Sequence, residues 1–150
     1  MQNDHEKFQQ YWAQFSAELN LDNKQVEELY SLLINGYTEP QRHYHTFQHI
    51  VECLDLFHQI KEQLNDTIAI ELAIWFHDVI YDPKAIDNEE QSAELMQKSC
   101  SNLLASDQIQ KVYDWIIATK KHQASIDQDL SYLLDIDLAI PGGSTARFAD

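Results

Sequence analysis

The sequence predicts an all-α fold, and three observations support this prediction. Only three glycines and three prolines occur among the 150 residues, so the chain has little of the turn chemistry that an all-β fold requires. Apolar residues recur every three or four positions in one segment after another, the spacing that places them on one face of a helix. With 44% hydrophobic residues, a chain of this length is expected to form a single globular domain with its own core.

Two helices are expected before the first long loop. The first has an apolar stripe over residues 8–19 and ends near residues 20–23. The second has its stripe over residues 26–33 and is expected to end at Asn35-Gly36, because glycine is the usual residue at a helix C-terminus. A loop is then expected over residues 37–44.

Five more helices are expected after this loop. Asp66 and its two neighbours should cap the fourth helix, which cannot continue past Pro83. The last helix should be stopped by Pro141. The expected ranges, in order, are 45–61, 65–79, a range from 87 or 88 to 102, 106–122 and 127–140.

Acidic residues dominate the charge of the chain. Ten basic residues against 25 acidic ones give a formal net charge of −15. A field of that sign repels nucleic-acid backbones and anionic membranes, so neither is an expected partner. A small phosphate ester is still a suitable ligand, because a bound cation and a few local bases reverse the sign inside one pocket.

Cysteine usage and the N-terminal sequence both bear on location. Cys53 and Cys100 are too few for a disulfide framework and too far apart for a CxxC metal pair. Residues 1–6 are polar and acidic, unlike a signal peptide. No apolar run has the length that a bilayer crossing needs. The protein is therefore expected to be soluble and cytoplasmic.

A histidine and an aspartate, His77 and Asp78, directly follow the apolar run at residues 72–76. Because an unpaired charge is costly to bury, this pair is expected to contact a partner or a metal ion. His49 and Asp137 are the matching candidates elsewhere in the chain. Two imidazoles and two carboxylates suit a divalent ion such as Mn, Fe, Ni, Zn or Mg.

Helical geometry places each candidate on a face that points to the core. His49 shares a face with Cys53, and His45 lies one turn earlier on the same face. Asp137 falls on the same side as the leucines of the last helix, whereas Asp135 falls opposite. Asp137 is therefore the expected buried acid and Asp135 the expected surface acid.

A purely structural reading is the alternative. A lone inward histidine is usually a core residue with satisfied hydrogen bonds, and a lone buried aspartate usually caps a helix. The adjacency of His77 and Asp78, together with the core-facing positions of all four residues, favours a metal site. His5, in the N-terminal tail, and His58, opposite His49, are expected at the surface.

The four residues also resemble a known ligand set. His49, His77, Asp78 and Asp137 resemble the H…HD…D ligands of the HD superfamily of metal-dependent phosphohydrolases, which have a helical core. Residues 44–49, Tyr-His-Thr-Phe-Gln-His, are similar to the Y-H-N-x-x-H segment of cyclic nucleotide phosphodiesterases, with threonine in place of asparagine.

Between residues 25 and 148 the chain is similar to a group of small bacterial HD proteins in five ordered blocks. The blocks are residues 39–45, 75–83, 88–93, 118–122 and 134–140. This resemblance implies an HD-like multi-helix bundle in a single domain over residues 1–150. Members of the group usually continue for several more helices, so this chain is expected to be truncated at its C-terminus.

The resemblance also implies roles for individual residues. His49, His77, Asp78 and Asp137 would bind the divalent ion. In the phosphodiesterases the first histidine of the segment protonates the leaving oxygen, which implies that His45 is the general acid. Asp78 is the second candidate catalytic residue, because it can bind metal with one oxygen and accept a water proton with the other.

Candidate substrate-binding residues come from the few cations and from the matched blocks. They are Arg42, Tyr81, Glu89, Lys121 and His122. Other roles are open for most of them. Lys120 and its two basic neighbours also complement the dipole at a helix C-terminus. Glu89, with Asn88, also serves as a helix cap, and Tyr81 also suits core packing.

The leading hypothesis is a metal-dependent phosphohydrolase. It would use metal-activated water to cleave a phosphomonoester or phosphodiester bond in a small molecule or nucleotide. A non-catalytic nucleotide-binding or regulatory module is one alternative, and a di-iron oxygenase is another, since some HD-fold proteins are oxidative enzymes. The expected partner is a small phosphate or nucleotide, and assembly into a homo-oligomer is left open.

Overall fold

A computed structural model of the chain describes residues 3–39, 46–121, 125 and 127–139. Within these residues the secondary structure is helical and contains no strand, which confirms the all-α prediction. The helices are α1 (Asp4–Glu18), α2 (Asn23–Tyr37), α3 (Phe47–Ile60), α4 (Thr67–Phe76), α5 (Asn88–Cys100), α6 (Ser106–Ala118) and α7 (Gln128–Ala139). A single 3₁₀ turn, Lys61–Gln63, follows α3.

Side-chain caps fix where several of these helices begin. The carboxylate of Asp22 accepts a hydrogen bond from the backbone of Gln25 at 2.8 Å, and the Gln25 side chain accepts one from the backbone of Asp22 at 3.0 Å. This reciprocal pair satisfies two backbone donors at the start of α2. Asp66 caps α4 as predicted, since it accepts from the backbone of Ala69 at 3.1 Å.

The predicted end of α2 is wrong. The helix continues past Asn35-Gly36 to Tyr37, whose side chain is fully buried in the core. The hydroxyl of Thr38 donates to the carbonyl oxygen of Ile34 at 2.7 Å and closes the last turn. Gly36 lies inside the helix. A Cβ at this position would lie 2.7 Å from the carbonyl oxygen of Val79, which explains why the residue is glycine. Its role is close approach of two backbones rather than a helix cap.

The fourth helix is also shorter than predicted. It ends at Phe76 rather than near Val79, and the backbone N–H of His77 donates to the carbonyl of Ala73 at 2.9 Å as the last helical bond. His77 and Asp78 therefore lie in the turn that leaves the helix. From this turn the two side chains point to one interior position, where His77 Nε2 lies 3.6 Å from Oδ2 of Asp78.

Helix α4 is the centre of the bundle. Every residue from Ala69 to Phe76 is buried, and the helix packs against α3, α5, α6 and α7. The ring of Trp75 lies in edge-on contact with Phe8 and Trp12 of α1, at centroid distances of 5.0 and 5.3 Å. Such burial of aromatic surface is the main stabilising contribution in a bundle of this size. The fixed position of α4 fixes His77 at its end.

None of the helices in the described ranges combines the length and the apolarity needed to cross a lipid bilayer.

Candidate metal centre

Four predicted ligand residues from three helical elements meet in the interior. They are His49 of α3, His77 and Asp78 in the turn after α4, and Asp137 of α7. One potential ligand atom from each lies within 4.8 Å of those from the other three. Three of these residues are 2% exposed, and the side chain of Asp78 is 14% exposed. Residues far apart in sequence are thus brought into one buried group.

The distances within this group are short and regular. Both Nε2 atoms, of His49 and His77, lie close to Oδ1 of Asp137, at 3.1 and 3.0 Å. The same two nitrogens lie 3.7 and 3.6 Å from Oδ2 of Asp78. Both imidazoles therefore point their outer nitrogens at a pair of carboxylate oxygens.

These spacings fit the coordination of one ion. Ligand atoms about 2.1 Å from a metal lie about 3.0 Å apart when adjacent in an octahedron and about 3.4 Å apart in a tetrahedron. The nitrogen-to-oxygen distances of 3.0 to 3.7 Å span that range. The donor set of two imidazoles and two carboxylates suits a borderline divalent cation. These residues can therefore hold a divalent metal ion.

The hydrogen bond on the other side of the His77 ring supports this fit. Nδ1 of His77 lies 2.8 Å from the carbonyl oxygen of Ile74, and because that oxygen only accepts, Nδ1 carries the hydrogen. The neutral ring then presents a lone pair at Nε2, facing Asp137 Oδ1 at 3.0 Å. Two lone pairs at this distance repel each other, so a cation or a proton belongs between them.

The electrostatic potential at His77 is strongly negative. Burial by itself lowers the pKa of this imidazole, but the charges of Asp78 and Asp137 outweigh it and raise the pKa to about 10. A potential that holds a proton so tightly also attracts a divalent cation, which competes with that proton for the same nitrogen.

The helix-face predictions for His49 and Asp137 are confirmed, whereas His77 and Asp78 lie beyond the end of α4. His49 is buried together with Cys53 one turn later, and the Cys53 sulfur lies 3.6 Å from His49 Nε2. Asp137 is buried at 2% exposure, whereas Asp135 is exposed. Helical periodicity was sufficient here because His49, Asp135 and Asp137 all lie within regular helices.

Tyr37, which was not among the predicted site residues, supports the turn that carries two of the ligands. Its buried hydroxyl donates to the carbonyl of Trp75 at 2.7 Å and accepts from the backbone N–H of Asp78 at 3.3 Å. The predicted end of α2 at Gly36 places Tyr37 in a loop. The signal was present, however, because Leu29, Leu33 and Tyr37 recur every four residues along one helix face.

Asp129 is a second supporting residue outside the predicted site. It is buried at the start of α7, and its two carboxylate oxygens accept from the backbone N–H groups of Asn65 and Asp66, each at 2.9 Å. This clamp joins α7, which carries Asp137, to the start of α4. The residues around Asp129 do not reveal this clamp in the sequence, because both donors are backbone groups more than sixty positions away.

The segment after Asp78 is fastened to α5. The buried hydroxyl of Ser92 bonds both backbone groups of Ile80, at 3.1 and 3.3 Å. The Asn88 side chain bonds both backbone groups of Asp82, each at 3.0 Å. Asn88 therefore holds the preceding loop, and the prediction that it caps α5 is wrong.

The structure describes three of the five predicted substrate-binding residues. Within the described residues, Tyr81 and Glu89 are half-buried and Lys121 is exposed. Burial and the nearby charge of Asp78 raise the pKa of Glu89, so its carboxyl lies within electrostatic reach of the centre. Arg42, His45 and His122 lie outside the described residues, and their roles stay predictions.

Two other histidines were expected at the surface. His5 is exposed, although it lies in α1 rather than in a tail. His58 is half-buried, and its ring stacks on that of Tyr11 at a centroid distance of 4.8 Å. The prediction for His58 is therefore wrong, because α1 covers the face of α3 that the periodicity assigned to solvent.

No protein family, no curated protein and no solved structure matches this chain in the comparisons.

Proposed function

We propose that this protein is a metal-dependent phosphohydrolase. Its substrate would be a phosphomonoester or phosphodiester of a small molecule or nucleotide. One observation carries the proposal: two imidazole nitrogens and two carboxylates converge in the core, with His77 Nε2 directed at Asp137 Oδ1 at 3.0 Å.

His49, His77, Asp78 and Asp137 are the residues that would hold the ion, for which Mn, Mg, Ni, Fe and Zn are the candidates. When bound, a divalent ion supplies a Lewis acid that polarises a phosphoryl oxygen and lowers the pKa of water. The buried carbonyl of Ile74 keeps His77 in the tautomer that this role requires.

Asp78 is the proposed general base, and it differs from the other three ligands in exposure. Its side chain is 14% exposed, against 1 to 3% for the other three. It is therefore the ligand best placed to meet a substrate and to accept a proton from the attacking water. His45 is the proposed general acid for the leaving oxygen, on the resemblance of residues 44–49 alone.

The remaining predicted residues would bind substrate. Lys121, with Arg42 and His122, supplies positive charge for anionic oxygens of the substrate in an otherwise acidic chain. Tyr81 and Glu89 would line the approach to the centre. A cytoplasmic location is proposed as well, because Cys53 and Cys100 are both free thiols.

A phosphate-release screen over nucleotides and sugar phosphates tests the proposal, with Mn, Mg, Ni, Fe and Zn each supplied in turn and elemental analysis of the purified protein. His77→Ala and Asp137→Asn should lose bound metal and turnover together. The rate should fall by more than about a hundredfold, since even residues that only support metal ligands change activity by about ten- to a hundredfold. Asp135→Asn, an exposed neighbour on the same helix, is the matched control and should retain both.

Three outcomes would count against the proposal of hydrolysis at this metal centre. Bound iron with oxygen-dependent turnover and no phosphate release would favour an oxygenase. Nucleotide binding without any turnover would favour a regulatory module. Phosphate release that survives His77→Ala would show that the reaction does not use this centre.

A further inference from the structure

A cleft opens between the first turn of α5, the end of α6 and the start of α7. Its volume is about 520 Å³, and its lining includes Glu90, Ile117, Lys120, Lys121 and Leu130. Pockets for small organic ligands typically measure about 300 to 1,000 Å³. The cleft is thus large enough for the organic part of a metabolite.

The charge of this cleft is opposite to that of the chain as a whole. Two of the ten basic residues lie side by side on its wall, in a chain of net charge −15. The ammonium group of Lys120 lies 3.2 and 3.3 Å from the two carboxylate oxygens of Glu90. Lys121 is exposed on the same wall. Two lysines against one glutamate leave a local positive charge.

The other walls of the cleft are apolar. Ile117 of α6 and Leu130 of α7 are partly buried against the core and also line the cleft. A pocket with apolar walls and a few placed charges selects a ligand with an organic body and a charged end.

The first turn of α5 links the cleft to the metal centre. Glu89 and Glu90 are consecutive, and Glu90 lines the cleft. Ser92, two residues after Glu90 on the same helix, bonds both backbone groups of Ile80, which follows Asp78 by two residues. This contact joins the helix that lines the cleft to the turn that carries a metal ligand. Burial and the charge of Asp78 raise the pKa of Glu89 while the charge of Lys120 lowers it, in agreement with this proximity. The two lysines and the centre thus lie on neighbouring parts of the fold, at a separation that ligands of graded length can measure.

We propose that this cleft binds a second anionic group of the substrate, held by Lys121 and Lys120. The substrate class is then a small organic molecule with a phosphate ester at one end and a further phosphate or carboxylate at the other. This inference rests on the proposed function for the position of the reacting phosphate. It adds that a substrate with one anionic group is a poor substrate.

Non-hydrolysable ligands test this directly, with no need for turnover. The probes are α,ω-alkanebisphosphonates of stepwise increasing chain length, each compared with the alkylphosphonate of the same length, and a parallel series of ω-carboxyalkylphosphonates. Binding to the whole 150-residue chain loaded with Mn²⁺ is measured by calorimetry. One chain length should bind roughly tenfold tighter than its monophosphonate, about the effect of one charge-assisted hydrogen bond. The series that shows the larger gain distinguishes phosphate from carboxylate as the second group.

Substitutions in the cleft test whether the cleft causes the tighter binding of the ligand with two anionic groups. Lys121→Met should reduce the ratio of the affinity for that ligand to the affinity for the alkylphosphonate of the same length. Glu90→Gln should increase the ratio, because it removes a negative charge and releases Lys120, and a variant that merely unfolds cannot tighten binding. Lys98→Met and Glu94→Gln make the same charge changes at exposed positions further along α5. These two controls should leave the ratio as it is.

The result that overturns the inference is a ratio near one at every chain length, or a ratio that neither Lys121→Met nor Glu90→Gln changes. Equal weakening of both ligands by Lys121→Met would also overturn it, because that lysine would then serve the reacting phosphate. Failure of the proposed function is a separate observation, since the screen would then yield no phosphate while the calorimetric ratio is still measurable.

Discussion

At the scale of single residues, the ring of His77 is oriented by a hydrogen bond at Nδ1 that turns Nε2 towards the centre. The bond from Nδ1 to the Ile74 carbonyl fixes the tautomer, and Nε2 faces Asp137. The backbone of the neighbouring Asp78 is held in turn by the hydroxyl of Tyr37. Positioning of this kind commonly affects metal affinity as strongly as loss of a weak ligand does.

The Tyr37 hydroxyl gives a prediction at this scale. Tyr37→Phe should destabilise the protein by about 1 to 3 kcal/mol, because it leaves a buried carbonyl without its partner. It should also weaken metal binding, since it removes a contact to the turn that carries the ligands. Urea-induced unfolding and calorimetric metal titration measure the two effects.

Tyr30 supplies the matched control for this substitution. Its hydroxyl is buried without a hydrogen-bond partner in the described part of the chain. Tyr30→Phe should therefore be neutral or slightly stabilising and leave metal affinity unchanged. Equal effects of the two substitutions would show that the hydroxyl of Tyr37 has no positioning role.

A buried carboxyl, Glu71, gives a pH prediction. Burial in the middle of α4 raises its pKa to about 7 from 4.5, although the indole N–H of Trp75 donates to it at 3.1 Å. Between these two values the folded protein keeps the proton and the unfolded chain releases it. The free energy of unfolding should therefore fall by roughly 3 kcal/mol as the pH rises through this window.

Glu71→Gln isolates this contribution, because the amide does not titrate and its oxygen still accepts from Trp75. Urea denaturation of both proteins at several pH values measures the difference in their slopes. The variant should lose the decline in stability between about pH 5 and about pH 7 that the wild type shows. Parallel curves for the two proteins would mean that Glu71 is ionised in the folded state.

At the scale of helices, the end of α2 is packed against the turn that carries the ligands. Tyr37 bonds that turn, and Gly36 lies against the backbone of Val79 directly after it. From the other side, Asp129 ties the start of α7 to the start of α4. The relative positions of three ligands are thus set by contacts between helix ends.

Gly36→Ala is the test at the scale of helices, because the direction of the change in stability shows whether the two backbones are in close contact. In an unobstructed helix the change would stabilise by about 1 kcal/mol. Here the new Cβ would lie 2.7 Å from the Val79 carbonyl oxygen, so the substitution should lower both stability and metal affinity. Chemical denaturation and metal titration provide the measurements. The control is Asn35→Ala, at the exposed neighbouring position, and it should be neutral or mildly stabilising. If Gly36→Ala stabilises the protein, the close packing of Gly36 against Val79 is refuted.

At the scale of the whole molecule, the centre joins helices that are distant in sequence. One ion would connect α3, the end of α4 and α7 through four side chains. It would also offset the charge of two carboxylates in a chain of net charge −15. Metal binding and folding should therefore be coupled in this protein.

Thermal unfolding measures this coupling. An ion that binds only the folded state, supplied at about one hundred times its dissociation constant, should stabilise by about 2.7 kcal/mol. The melting temperature should rise accordingly with the preferred ion. It should fail to rise in Asp137→Asn, while Asp135→Asn should respond like the wild type. An unchanged wild-type melting temperature with every candidate ion would count against the metal centre.

The sequence by itself determined the helical class and most helix positions. It also selected Asp137 over Asp135 and placed His49 beside Cys53, because the repeat of an α-helix is local and a short window reveals which face is apolar. The His77-Asp78 pair indicated a binding partner for a different local reason. Polar groups at the end of an apolar run are costly to bury unless they contact a partner.

Only the tertiary structure decided how those faces meet. Periodicity gave no sign that Gly36 touches Val79 or that Asp129 accepts two distant backbone hydrogens. It gave no sign either that Lys120 and Glu90 pair on the wall of a cleft. These contacts join groups from different helices, and their geometry depends on the packing of the entire bundle rather than on any one segment.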